Sequence, residues 1–205
     1  KSGEDFLSFW QTIRAINQKE PHLFSFIVAG VNPHCLEKSM VCGYDNPIFS
    51  LVNINYLDLF RYEDVKEMVS NIGGYMGLNF DEEIYSNLNI DYGGHPFLIR
   101  HICSLINSDV NNSQRPYKVS KYDYKEKKEK YDRKILDYIN LIIAVLKEWY
   151  PNEYELLEIL AIEGNRKFKE KINTIYGYQS QNIIDHLIGY GIIKENNNKY
   201  YIQID

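Results

Sequence analysis

Residues 91–106 read DYGGHPFLIRHICSLI. Two glycines let the backbone turn sharply, and Pro96 stands where a helix begins without losing a hydrogen-bond donor. Beyond it, Leu98, Ile99, Ile102, Leu105 and Ile106 recur at helical steps, so a helix with one buried face starts at Pro96. Unpaired N–H groups at such a start favour an anion or a polar base edge. Taken alone, the segment also reads as a tight turn between two helices.

Upstream, Val65, Met68, Val69 and Ile72 predict a helix over 63–72 with acidic residues in its first turn, stopped by Gly73 and Gly74. Another helix is expected from Asp81, whose side chain can cap it. Together with the helix from Pro96 these make a small helical bundle. Nearer the start, Phe6, Phe9, Trp10, Ile13 and Ile16 predict a helix over 4–17. Residues 23–30 read LFSFIVAG, a short apolar run entered from a turn and left through Gly, as in a strand buried on both faces. Residues 31–47 are broken by Pro33, Gly43 and Pro47, and NINYLDLF at 53–60 reads as a short edge strand.

Downstream, 107–117 is nearly devoid of apolar residues and reads as a linker, and the charge-dense stretch 121–134 reads as a solvated helix. Helices are expected over 135–149, 153–161 and 179–190, the last burying Ile183, Ile184, Leu187 and Ile188. Two short strands then flank Asn196, Asn197 and Asn198, where Asn tolerates the positive φ of a hairpin turn. Three helices followed by a hairpin is the winged-helix order. The fold class expected is mixed and mostly α: a partial α/β core with a helical lid, followed by a winged-helix domain.

Bulk properties narrow the function classes. The chain has 205 residues, 44% of them hydrophobic and 25% charged, which is ordinary globular composition. No apolar run approaches the roughly 18 residues of a membrane span, and the N-terminal residues lack the apolar core of a signal peptide. Three cysteines without a CxxC pair argue for buried thiols in a reducing compartment, so a cytoplasmic protein is expected. A net charge of −5 disfavours an overall electrostatic grip on nucleic acid. The five histidines show no metal-ligand spacing, and no GxSxG marks a serine nucleophile.

The order of these features resembles the prokaryotic P-loop ATPases of the AAA+/STAND group, in which an α/β core is followed by a helical lid and a winged helix. The resemblance implies an α/β core remnant at 1–60, a lid at 61–107, a linker at 108–120 and a winged helix at 121–205. It matches Gly94, His95 and Pro96 to the lid turn beside the nucleotide. It makes the strand FIVAGVN the sensor-1 strand, with Asn32 as the residue facing the γ-phosphate, and Arg100 a phosphate-sensing candidate. ATP and Mg²⁺ are then the cofactors of a full-length parent. Neither a GxxxxGK[ST] nor an acidic strand end is present, so the chain is expected not to be catalytic alone, with both motifs upstream of Lys1.

Two further readings concern the C-terminal module. As a DNA reader, its third helix would offer Gln179, Gln181 and Asn182 to base edges, with Lys194 and Lys199 on the hairpin touching phosphates. That helix carries no Lys or Arg, so the phosphate-neutralising contribution would be small. As a protein-interaction module it would pack on the ATPase core or a partner subunit, with 18 tyrosines suited to contact surfaces, although a biased codon usage explains them equally.

Overall fold

The computed structural model describes residues 3–23, 25–29, 34–41, 43–49, 51–175 and 178–204. Among them the chain is mostly helical with a few short strands, and no helix is long and apolar enough to cross a membrane. It divides into two compact units, Lys1–Tyr56 and Leu57–Asp205.

In the first unit, α1 (Gly3–Lys19) carries Glu4 and Asp5 in its first turn and Lys19 in its last, each sign placed where the helix dipole favours it. A short α2 (His34–Glu37) leads to a small antiparallel pair, β1 (Met40–Val41) with β2 (Tyr44–Asp45). Leu7 and Ile48 are buried, Arg14 donates to the Pro47 carbonyl at 3.3 Å, and the Trp10 and Phe26 rings meet at 5.9 Å. The strand expected over 23–30 is not formed in its described part: residues 25–29 belong to no strand, and Ile27 is 98% exposed. A strand exists only through a ladder partner, and the described residues of this unit supply none for that run. Residues 53–60 likewise form no strand.

The second unit opens with α3 (Tyr62–Tyr75), followed by β3 (Leu78–Phe80), α4 (Glu82–Asp91) and α5 (Pro96–Asp109). Helix α3 runs through Gly73 and Gly74 rather than stopping there. Gly73 is needed for proximity instead: a Cβ on it would stand 2.7 Å from the Phe80 ring. A 3-10 turn (Asn112–Gln114) and β4 (Tyr117–Val119) occupy the segment expected as a linker, and β4 pairs in parallel with β3. What orders this polar stretch is Arg115, whose guanidinium donates to the carbonyls of Met76, Asn107 and Val110 at the C-terminal ends of α3 and α5. A planar cation with several donors suits such a cluster of carbonyls that helix ends leave unpaired.

Ser120 and Asp123 form a reciprocal N-terminal box for α6 (Lys121–Trp149), the Asp123 carboxylate accepting from the Ser120 N–H at 2.9 Å. The charged and the apolar halves of this stretch form one uninterrupted helix of 29 residues, about 43 Å long. Next come α7 (Pro151–Thr174), kinked at Gly164 with φ 80°, then α8 (Tyr178–Gly189) and the hairpin β5 (Ile193–Asn196) with β6 (Lys199–Ile202). Asn197 and Asn198 take φ of 51° and 57° in its two-residue turn, as the Asn run predicts.

Two hydrophobic cores result. The first gathers Val65, Leu88, Leu98, Ile102 and their neighbours with Tyr124, Tyr131 and Ile135 of α6; the second gathers Leu156, Phe168, Leu187 and Ile193 with Leu146 of the same helix. Helix α6 is thus a member of both. Its tyrosines also clip it to the first core: Tyr124 donates to Asp91 at 2.7 Å and Tyr131 to Asp109 at 3.1 Å, while Tyr92 donates to Asp132 at 2.7 Å.

Candidate functional site at the glycine turn

Helix α4 ends at Asp91 and α5 begins at Pro96, so the reversal between them takes four residues, Tyr92 to His95. Gly93 and Gly94 have φ of 58° and 73°, a region L side chains rarely adopt. Space forbids a side chain as firmly as conformation does. A Cβ on Gly94 would lie 2.1 Å from the Phe60 carbonyl oxygen, and one on Gly93 would lie 2.3 Å from the Gln203 carbonyl oxygen.

The turn is held by a closed set of hydrogen bonds. The Phe60 N–H donates to the Gly94 carbonyl at 2.9 Å, and the Asn89 side-chain amide donates to the Phe60 carbonyl at 3.0 Å. The Gly94 N–H donates back to the Asn89 carbonyl at 3.0 Å, and the His95 N–H to the Tyr92 carbonyl at 2.9 Å. On the other flank, the Gln203 side-chain amide donates to the Gly93 carbonyl at 2.9 Å. Residues 57–60 therefore form a strap between this turn and Gly191, where a Cβ would stand 2.7 Å from Leu59.

Beyond the turn, Pro96 occupies the first helical position of α5, and His95 precedes it without a side-chain capping bond. The start of α5 is left open to a ligand acceptor. Burial holds the His95 imidazole below its ordinary pKa, favouring the neutral ring, and its buried Nδ1 meets no hydrogen-bond partner among the described residues. The Phe97, His101 and Tyr138 rings stack beside it, with centroids 4.4 Å and 4.6 Å apart along the series, which ties the first turns of α5 to α6.

Of the residues expected to act together, Gly94, His95 and Pro96 are contiguous in this turn. Arg100 is exposed and lines a separate groove between α3 and α5. Asn32 and the side chain of Gln179 lie outside the described residues. On α8, Gln181 is exposed but donates to Asp185 at 2.8 Å, and Asn182 is half-buried. Lys194 and Lys199 are exposed on different strands of the hairpin and form no ion pair among the described residues. Of the cations on α7, Arg166, Lys167 and Lys171 are paired with Glu170 or Glu155, while Lys169 donates to Asn198 Oδ1 at 2.9 Å and has no carboxylate partner among the described residues.

Sequence reasoning missed the partners of the turn: Phe60, Asn89 and Gln203. The glycine doublet was the only signal pointing to them, because two adjacent glycines imply backbone approaching backbone but never say from where. No family model, no curated protein and no solved structure matches the chain.

Proposed function

We propose that the chain is the lid and C-terminal winged-helix portion of an AAA+/STAND-type P-loop ATPase, a nucleotide-dependent switch that is not catalytic by itself. In this reading a P-loop-bearing part of the parent holds ATP and Mg²⁺ in the cytoplasm, and Gly94, His95 and Pro96 face the nucleotide. The sensor-1 run FIVAGVN at 26–32, ending in Asn32, would become a strand only beside a sheet supplied by that part. The exposure of Ile27 at 98% supports this, since apolar residues so placed favour a cover.

The observation that carries the reading is the continuity of α6. One helix is built into both the core around the glycine turn and the core under the hairpin. A displacement of the turn would be transmitted along it, because a helix does not kink sharply without a break in its hydrogen-bond ladder. The winged helix proposed here spans 121–205, with the C-terminal half of α6, helix α7, helix α8 and the hairpin. Asn165, beside the kink in α7, accepts from the Tyr200 N–H at 2.7 Å and donates to its carbonyl at 2.5 Å, taking the place of a third strand.

For the module's partner, protein contact is favoured over DNA. Gln181 is engaged by Asp185, and three cations near α8 are neutralised within the chain. Lys169, Lys194 and Lys199 are left without a carboxylate among the described residues, a small complement for the phosphate contacts that dominate DNA affinity.

The test is titration of a fluorescent ATP analogue with Mg²⁺ into this 205-residue chain and into the product of the whole reading frame. The short chain should show no saturable binding. The whole product should bind, and His95→Ala and Gly94→Val should weaken it, with circular dichroism verifying the fold. A reading frame without GxxxxGK[ST], or binding indifferent to both substitutions, would end the proposal.

A further inference from the structure

Helices α3 and α5 do not close on each other along their whole length. Between them, over β3, lies a groove of about 360 Å³, within the ~300–1,000 Å³ of small-molecule sites. Its two walls differ. On the α3 side it is lined by Met68 and Ile72, four residues apart and so on one stripe, and by Met76 just beyond the helix end. Ile72 and Met76 are 48% and 44% exposed, and two methionines give the wall a side chain that adapts to what it meets.

The α5 wall is polar at both ends. Arg100 is the only charged residue lining the groove, and it has no carboxylate partner among the described residues. Asn107, about 10 Å further along the same helix, also lines the groove, and its side-chain oxygen is closed off from solvent without a donor. Arg115 holds this end in place by bridging the Met76 and Asn107 carbonyls.

We infer that this groove binds an amphipathic carboxylic acid: a linear apolar chain against Met68, Ile72 and Met76, its carboxylate on Arg100, and a hydroxyl near its far end on Asn107. The charge count selects the head group. A single guanidinium balances a monoanion, whereas a phosphate monoester would bring nearly two negative charges to a groove with one cation. This site shares Arg100 with the phosphate-sensing expectation, but it needs neither a nucleotide nor any other part of a parent protein.

The experiment is titration of the 205-residue chain with 10-hydroxydecanoate, decanoate and decanol, followed by two-dimensional amide NMR. Saturable shifts on α3, β3 and α5 are expected, with 10-hydroxydecanoate binding several-fold more tightly than decanoate. Arg100→Gln should weaken both acids about tenfold and leave decanol unchanged. Asn107→Leu should abolish the preference for the hydroxy acid. Absence of shifts in the groove, or acid binding that Arg100→Gln does not touch, overturns the assignment. So does a chain that sediments as a dimer and becomes monomeric with Ile72→Asp, which would make the groove an interface between copies.

Discussion

Gln203 donates its side-chain amide to the carbonyl of Gly93 across 2.9 Å, although 110 positions separate them in sequence. The residue following the last strand is thereby fastened to the turn between α4 and α5. The Gln203 N–H in turn donates to the Ile192 carbonyl at 2.9 Å, so the base of the hairpin and the glycine turn share one residue. The two hydrophobic cores of the second unit are therefore linked by this contact as well as through α6 and the 57–60 strap.

The glycine turn sets the first prediction. Gly94→Ala places a methyl group 2.1 Å from the Phe60 carbonyl oxygen at φ 73°. Backbone strain of about 1–3 kcal/mol and displacement of the strap should together lower the unfolding free energy by roughly 2–4 kcal/mol. Gly74→Ala is the contrast, because a Cβ there meets nothing within 4 Å and the residue is helical. It should stabilise by about 0.5–1 kcal/mol. Urea unfolding followed by circular dichroism measures both.

Asn165 stands in for a β-strand at the edge of β6. Asn165→Ala leaves the Tyr200 N–H and carbonyl without these partners. A cost of about 1–3 kcal/mol follows for the groups left unpaired. Hydrogen exchange at the Tyr200 amide should accelerate in the variant while amides of α3 and α5 keep their protection. Equal acceleration in both places would mean that Asn165 matters only through global stability.

The pH dependence of stability carries a signature of His95. Burial lowers its folded pKa below the ordinary 6.5. Above 6.5 the ring is neutral in both states and the pH has no leverage through it. As the pH falls below 6.5 the unfolded chain takes up a proton that the folded chain does not, so stability declines until the lower folded pKa is reached. His95→Gln should reduce the slope of unfolding free energy against pH in that window. An unchanged slope would mean that the ring is solvated.

Cys103 tests the packing beside the groove. Burial pushes its thiol up to about 12, and the thiolate is the reactive species. Iodoacetamide at pH 8 should therefore leave Cys103 unmodified in the native chain and alkylate it in urea, as read by peptide mass mapping. Rapid native alkylation would show that α5 opens away from β3.

Local patterns made much of the second unit legible. The apolar stripe after Pro96 buries Leu98, Ile99, Ile102 and Ile106, and the Asn run forms the expected hairpin turn. The strand expected at 23–30 failed for a physical reason: an apolar run specifies burial, but only a neighbour specifies a strand. Gly73 was misread for a related reason, since a glycine that lets Phe80 approach looks in sequence like one that ends a helix.

By itself the sequence determined what depends on neighbours a few residues away: the helical stripes, the glycine doublet that must turn, Pro96 at a helix start and the tight hairpin. Only the tertiary structure decided that the segment expected as a linker is tied to the ends of α3 and α5 by Arg115 and leads into β4, that α6 serves two cores, and that Phe60, Asn89 and Gln203 hold the turn. Those choices rest on hydrogen bonds and close backbone approaches between residues tens of positions apart. Such contacts leave no periodicity in a single chain, because each is made once.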